Sequence, residues 1–285
     1  MFHLFVELGI ILLFIFNIYI AKKTKKLDLL IIATVFAALF ENLHVILFQN
    51  QVGGYYYSEQ FLLFIYKTPL FVILSWGIII LNAYLIATKL TNKVGRIFLT
   101  PILVLLVDFA LEFFAVKQGY WTWIGYDATQ GLFGVPASNF ISWMLITLAL
   151  VFCYDELEEK WAVPIVAYIL FVLIATGEAF IVDMLGIDPS QYTYLIWFII
   201  ISMLIATLAL WKLKQKEEIK TKYLTLAVLS RAAYYIFALI LVFSNAELSR
   251  TIWPIIIYVF LIEAAIIIAV YYKKRKIKFV SSFSS

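Results

Sequence analysis

The chain is a succession of uninterrupted apolar runs, most about 20 residues long, separated by short polar segments. At about 1.5 Å per helical residue, a run of that length crosses the roughly 30 Å hydrocarbon core of a bilayer. In lipid the backbone must satisfy its own hydrogen bonds, so only helices or a closed barrel can span it. These runs are continuous rather than alternating, which excludes barrel strands. Sixty-five per cent of the residues are apolar and 14% are charged, against about half and a quarter in a soluble domain. The reading is an all-α, polytopic transmembrane helical bundle, a single integral membrane domain over residues 1–285.

Nine spans are expected, at about 2–21, 27–49, 61–88, 97–117, 137–154, 162–182, 192–211, 223–244 and 252–272. The third is long for one crossing, so it is expected to tilt or to bend at Pro69. Eight spans would remain if the first were a cleaved leader. It lacks a basic n-region and a small-residue cleavage site, and is read as a retained helix.

Charge gives the orientation. Lys22, Lys23, Lys25 and Lys26 follow span one, and Lys89, Lys93 and Arg96 follow span three. Further basic clusters follow spans seven and nine, at 212–222 and 273–278. With Lys160, eighteen of the 22 basic residues fall on one face. The positive-inside rule makes that face cytoplasmic and the protein a multi-pass cell-membrane protein, N-terminus outside and C-terminus inside. The acidic loop Asp155-Glu156-Leu157-Glu158-Glu159 counts little in that rule. The net charge of +4 is therefore a topology signal. The basic residues are scattered over short loops without a nucleic-acid-binding motif, so no nucleic-acid partner is expected.

Other chemistries find little footing. The one cysteine, Cys153, precludes an intrachain disulfide and reads as a small core residue. His3 and His44 are too few for a His-rich metal site. No Walker loop, dinucleotide fingerprint or zinc motif occurs.

Within this frame, two stretches look like copies of each other. The first runs Glu41, then Gly54-Tyr55-Tyr56-Tyr57, Pro69 and Ser75-Trp76. The second runs Glu112, then Gly119-Tyr120-Trp121-Thr122-Trp123, Pro136 and Ser142-Trp143. Proline and tryptophan are seven residues apart in both. A fainter third copy has Glu178, Gly186, Tyr192-Thr193-Tyr194 and Trp197. The internal two-helix repeats are placed at about 27–88, 97–154 and 162–211. Each copy carries one carboxylate inside an apolar helix, followed by an aromatic loop.

Ionisable groups within spans are costly and mark function by default. They are Glu41, Asp108, Glu112, Glu178, Arg231 and Glu263, with Glu7 and Asp183 nearer span ends. Glu41, Glu112 and Glu178 lie about 14 to 16 residues into parallel spans, some 21–24 Å deep, so the repeat could gather them around one cavity. Asp108 sits one turn before Glu112 on the same helix face. Two carboxylates that close in low dielectric would share a proton, keeping an acid available at neutral pH. The competing reading is structural: each acid bonds backbone groups or pairs with a cation such as Arg231, and holds helices together.

The rings admit two readings as well. Tyr55, Tyr57, Trp121 and Trp123 could be an interfacial belt, or their faces could stabilise a carbocation. Ser138 and Asn139 could cap a helix, or Asn139 could orient a water. His44 could partner Glu41 or pack, and packing is favoured.

The segments Gly119-Tyr120-Trp121-Thr122-Trp123 and Phe133-Gly134-Val135-Pro136-Ala137-Ser138-Asn139-Phe140-Ile141-Ser142-Trp143 resemble the signature of the carotenoid biosynthesis membrane proteins. That family contains the cofactor-independent CruF-type carotenoid hydratases, bisanhydrobacterioruberin hydratases among them. Gly54-Tyr55-Tyr56-Tyr57-Ser58, with Pro69 and Trp76, resembles its first motif, and Asp108 with Glu112 its acidic pair. The resemblance is strongest over roughly 40–145. It departs from the family pattern at Glu112-Phe113, where an aspartate followed by proline is usual. Membrane lycopene β-cyclases carry similar repeats, but with paired acids after the proline. Here Leu-Phe-Val and Ala-Ser-Asn follow Pro69 and Pro136, so the cyclase reading falls behind.

The resemblance implies hydration of the terminal isoprenoid C=C of an acyclic carotenoid by acid catalysis, without a cofactor. Catalytic candidates are Asp108, Glu112, Glu41 and Glu178. Substrate-binding candidates are Tyr55, Tyr57, Trp76, Trp121, Trp123, Asn139 and Trp143. The partners implied are a lipid-soluble carotenoid, membrane lipids and, potentially, other carotenoid-pathway enzymes. The alternatives are an end-group cyclase and, from another class, a small-molecule or lipid transporter. Transporters also build sites from repeats at the midplane, but no Gly or Pro break lies beside these acids.

Overall fold

The computed structural model describes residues 2–127, 130–186, 201, 219–244, 259, 261–265 and 268. Its long helices are α1 (Phe2–Thr24), α2 (Leu27–Phe48), α3 (Leu70–Leu90), α4 (Lys93–Lys117), α5 (Ala137–Glu156), α6 (Val163–Met184) and α7 (Thr221–Ser244). Each is long and apolar enough to cross a membrane, and the protein is a polytopic helical membrane protein. The expected spans at 192–211 and 252–272 fall largely outside the described residues, as does most of the third repeat's second helix.

Two boundaries differ from expectation. The third span begins at Leu70 rather than at 61, because Pro69 starts the helix instead of bending it. Pro69 sits at the N-cap with φ −59° and ψ 137°; its ring fixes φ and it has no N–H to give to a preceding turn. Pro136 does the same for α5 at φ −58° and ψ 132°. The fourth span begins at Lys93 rather than 97, because the Asn92 side chain caps it by accepting from the Gly95 N–H. That cap satisfies a donor the first turn leaves open.

Helices α3 and α4 form the centre. Helix α3 packs on α1, α2, α4 and α7, and α4 on α3, α5 and α7. In each of the two, 83% of the apolar span is buried, against 28% in α1 and 11% in α6. One end of the bundle is locked by charge. Arg96 pairs with Asp155 at 2.9 Å, Tyr84 donates to the same carboxylate at 2.7 Å, and Tyr154 donates to Asp28 at 2.8 Å. The acidic residue that opens the 155–159 loop is thus neutralised within the bundle.

At the opposite end the connections fold inward as short strands: β1 (Tyr55–Tyr57), β2 (Phe64–Ile65), β3 (Thr68–Pro69) and β4 (Trp121–Trp123). β2 and β3 form a hairpin where the apolar stretch after residue 61 was expected to be helical. β1 and β4 come from different loops, yet pair antiparallel with Tyr55 opposite Trp123, Tyr56 opposite Thr122 and Tyr57 opposite Trp121.

Two glycines make that pairing reachable. Gly119, at φ +67°, ends α4: its N–H bonds Val116 O and the Tyr120 N–H bonds Ala115 O, which closes the helix and turns the chain into β4. Gly54 lies against the end of α2, where a Cβ would fall 1.8 Å from the Phe48 carbonyl oxygen. The loop after β1 is tied down by Glu7, whose carboxylate accepts from the Leu62 and Leu63 N–H groups, and by Asn42, which accepts from the Lys67 N–H.

Candidate active site

Side chains alternate sides along a strand. In β1 this turns Tyr55 and Tyr57 inward and leaves Tyr56 exposed; in β4 it turns Trp121 and Trp123 inward and leaves Thr122 exposed. The ribbon therefore presents two phenols and two indoles to the helices beneath. Tyr55 meets Trp123 edge-on at 4.8 Å, and Tyr57 meets Trp121 at 6.0 Å.

Under β1 lies Glu41 of α2, buried at 4% exposure. Its Oε2 accepts from the hydroxyls of Tyr55 and of Tyr57, the latter at 2.7 Å. Its Oε1 accepts from the Trp76 indole N–H at 2.6 Å. Burial first, and then the Glu41 charge, hold both phenols well above their ordinary pKa, so both remain donors at any physiological pH. A buried carboxylate is tolerable only when its lone pairs are satisfied, and here three donors converge on one.

Under β4 lies Glu112 of α4, equally buried. Its Oε1 accepts from both Trp121, at 2.8 Å, and Trp123, at 2.9 Å. Asp108 lies one turn earlier on the same face of α4 and is likewise buried. Two carboxyl groups that close in low dielectric share a proton. One Asp108 oxygen, Oδ2, is buried and has no hydrogen-bond partner among the described residues. Three buried acids from two helices thus lie under one ribbon, two of them bonded by ring donors and one with an oxygen unpartnered among the described residues.

The remaining candidates lie as follows. Trp76 and Trp143, each seven residues after its proline, stack face to face at 3.9 Å and 20°. His44 stacks on Tyr55 at 5.0 Å, and its Nε2 has no hydrogen-bond partner. Ser138 and Asn139 do not cap α5, whose N-cap is Pro136 without a side-chain bond. The Asn139 amide nitrogen is buried and, among the described residues, has no hydrogen-bond partner, the acids included. Glu178 is on peripheral α6, its Oε1 unpartnered, and no hydrogen bond or ion pair among the described residues joins it to the other three acids. Arg231 does not pair with the acid centre: it pairs with Glu263.

The arrangement predicts a measurable role for the Trp76 N–H apart from its ring. Trp76→Phe keeps the stack on Trp143 but removes one donor from Glu41. A hydrogen bond to a charged group contributes about 1.5–3 kcal/mol, so Tm in detergent should fall accordingly, while Trp143→Phe, which donates nothing to Glu41, should cost less.

Two apolar spaces lie on the α1 and α7 side of the bundle, the smaller of them reaching Trp121. One, of about 60 Å³, is bounded by Phe71, Ser75, Leu111, Tyr120, Trp121 and residues of α1 and α7. The other, of about 340 Å³, opens between α1 and α7.

Compared with known proteins, the sequence matches the family model described as "Carotenoid biosynthesis protein" over residues 1–188. That range takes in α1 to α6, the ribbon and all three acids of the centre, and extends beyond the 40–145 core of the resemblance. No curated protein and no solved structure matches.

Proposed function

The chain belongs to the carotenoid biosynthesis protein family, and we propose that it is a carotenoid hydratase, adding water to the terminal isoprenoid C=C of an acyclic carotenoid. The observation that carries this reading is the pair of buried acids, Asp108 and Glu112, one turn apart on α4, with Asp108 Oδ2 unpartnered among the described residues. Glu112 is held as an acceptor by two indoles, so the shared proton resides with Asp108.

Asp108 delivers that proton to the less substituted alkene carbon, and the π electrons form the new C–H bond. The positive charge is left on the tertiary carbon. The ring of Trp121, which borders the inner apolar space, and the negative charge on Glu41 and Glu112 stabilise it. Water attacks the tertiary carbon through oxygen, and its surplus proton returns to the Asp108/Glu112 pair. The balance is one alkene plus one water giving one tertiary alcohol, with the acid pair regenerated. The substrate reaches the site from the lipid, where carotenoids dissolve. The Lys-rich segments orient the bundle with its N-terminus outside and its C-terminus in the cytoplasm, which places the ribbon at the outer face.

Expression in bacteria that accumulate acyclic carotenoids, followed by mass spectrometry of pigment extracts, tests the proposal. A mass gain of one water per modified end is expected. A new isomer of unchanged mass would instead mean cyclisation. Uptake by proteoliposomes without pigment conversion would mean transport.

A further inference from the structure

We infer that the cleft between α1 and α7 seats the polyene chain of the substrate, and that Gly9 sets its width; the inference rests on the carotenoid reading above. The cleft's volume of about 340 Å³ lies within the roughly 300–1,000 Å³ of small-molecule sites. Phe5, Val6, Gly9 and Leu13 of α1 line it together with Tyr234 and Phe237 of α7. Its outer flank is apolar and open, with Phe5 64% exposed.

The cleft lies beside a smaller space that reaches the ribbon. Val6, Ile10, Tyr234 and Phe237 line both it and the inner space of about 60 Å³. That inner space runs past Ser75 to Trp121, whose indole donates to Glu112. The two spaces, side by side, point from the exposed flank of α1 toward the indole that bonds Glu112. The Tyr234 hydroxyl, at the wall shared by the two spaces, is buried and has no hydrogen-bond partner among the described residues. A hydrophilic solute would lose its hydration along such walls, whereas a hydrocarbon chain gains by burial there.

Gly9 lines the cleft, and a Cβ added to it meets no atom within 4 Å, so a side chain there has open space to enter. The same chemistry would admit a phospholipid acyl chain, and the experiment separates the two occupants.

The full chain is purified in detergent, and lycopene binding is read by quenching of tryptophan fluorescence, with conversion followed in pigment-producing cells. Gly9→Phe should weaken lycopene binding and conversion by about tenfold or more, the scale of overpacking a filled site, with Tm unchanged. Leu12→Phe, on the same helix but 67% exposed, should leave both as in the wild type. Ala233→Leu fills the cleft from the opposite wall and repeats the test should Gly9→Phe fail to fold. Wild-type lycopene binding by a folded, filled variant overturns the inference, as does a cleft whose bound phospholipid lycopene cannot displace. Gly9-dependent binding by a wild-type protein that leaves the pigment unchanged would keep the cleft and remove the hydratase reading. Hydrated product from the wild type, with Gly9→Phe equally active, would remove the cleft and keep that reading.

Discussion

Asp108→Asn should abolish hydrated product while the protein still inserts and folds. The amide is isosteric with the carboxyl, so packing in α4 is preserved. It cannot surrender a proton to an alkene. General acid catalysis contributes about 10²–10⁴-fold, and product in pigment extracts should fall by that order. Glu112→Gln attacks the other half of the pair. Its amide oxygen still accepts from Trp121 and Trp123, but the negative charge that receives the proton back from water is gone. Both variants should keep a Tm close to the wild type's, since a neutral, hydrogen-bonded side chain is no costlier to bury than an acid. Undiminished conversion in both would remove the pair from the mechanism.

The second large effect lies away from the chemistry. Arg231 of α7 bonds the Glu263 carboxylate twice, the Leu103 carbonyl of α4, and the Tyr235 hydroxyl at 3.3 Å. Both charges are almost fully buried, Arg231 at 2% and Glu263 at 4% exposure. Removing one partner of such a pair leaves an uncompensated charge and costs about 3–5 kcal/mol. Arg231→Met should therefore lower Tm sharply, or prevent recovery of folded protein. Adding Glu263→Leu removes the stranded charge and should restore most of the loss, as replacement of a whole buried pair by apolar groups is near neutral or better. A double variant no more stable than Arg231→Met would show that Arg231 acts through Leu103 alone.

Much of this architecture can be read from the chain because lipid imposes simple rules. Apolar length located the spans, and the cost of charge in hydrocarbon singled out Glu41, Asp108 and Glu112. Composition failed where apolar residues serve a hairpin: Phe61 to Tyr66 reads like helix, and only Pro69 marks the true start of α3. The pairing of β1 with β4 was not legible. It joins loops far apart in sequence, and Tyr-Tyr-Tyr carries no alternation of apolar and polar residues to mark a strand. Tyr55, Tyr57, Trp76, Trp121 and Trp123 were singled out for their ring faces, as a belt or as cation stabilisers, and only the structure shows their O–H and N–H groups aimed at the acids. Glu178 matched the others in depth, but depth says nothing of rotation about the helix axis or of which helices surround it.

The ribbon has a bearing on the history of the chain. One of its strands comes from each of two similar halves, and a lone three-residue strand has no stability of its own. An ancestral polypeptide with a single such half would have needed a second molecule to complete the roof over its glutamate. Tandem duplication would fuse that pair into one chain without inverting either half in the membrane, because each unit contains two crossings. Fused in that way, the two units would be free to differ, as Glu41 with three donors and Glu112 with Asp108 one turn away do here.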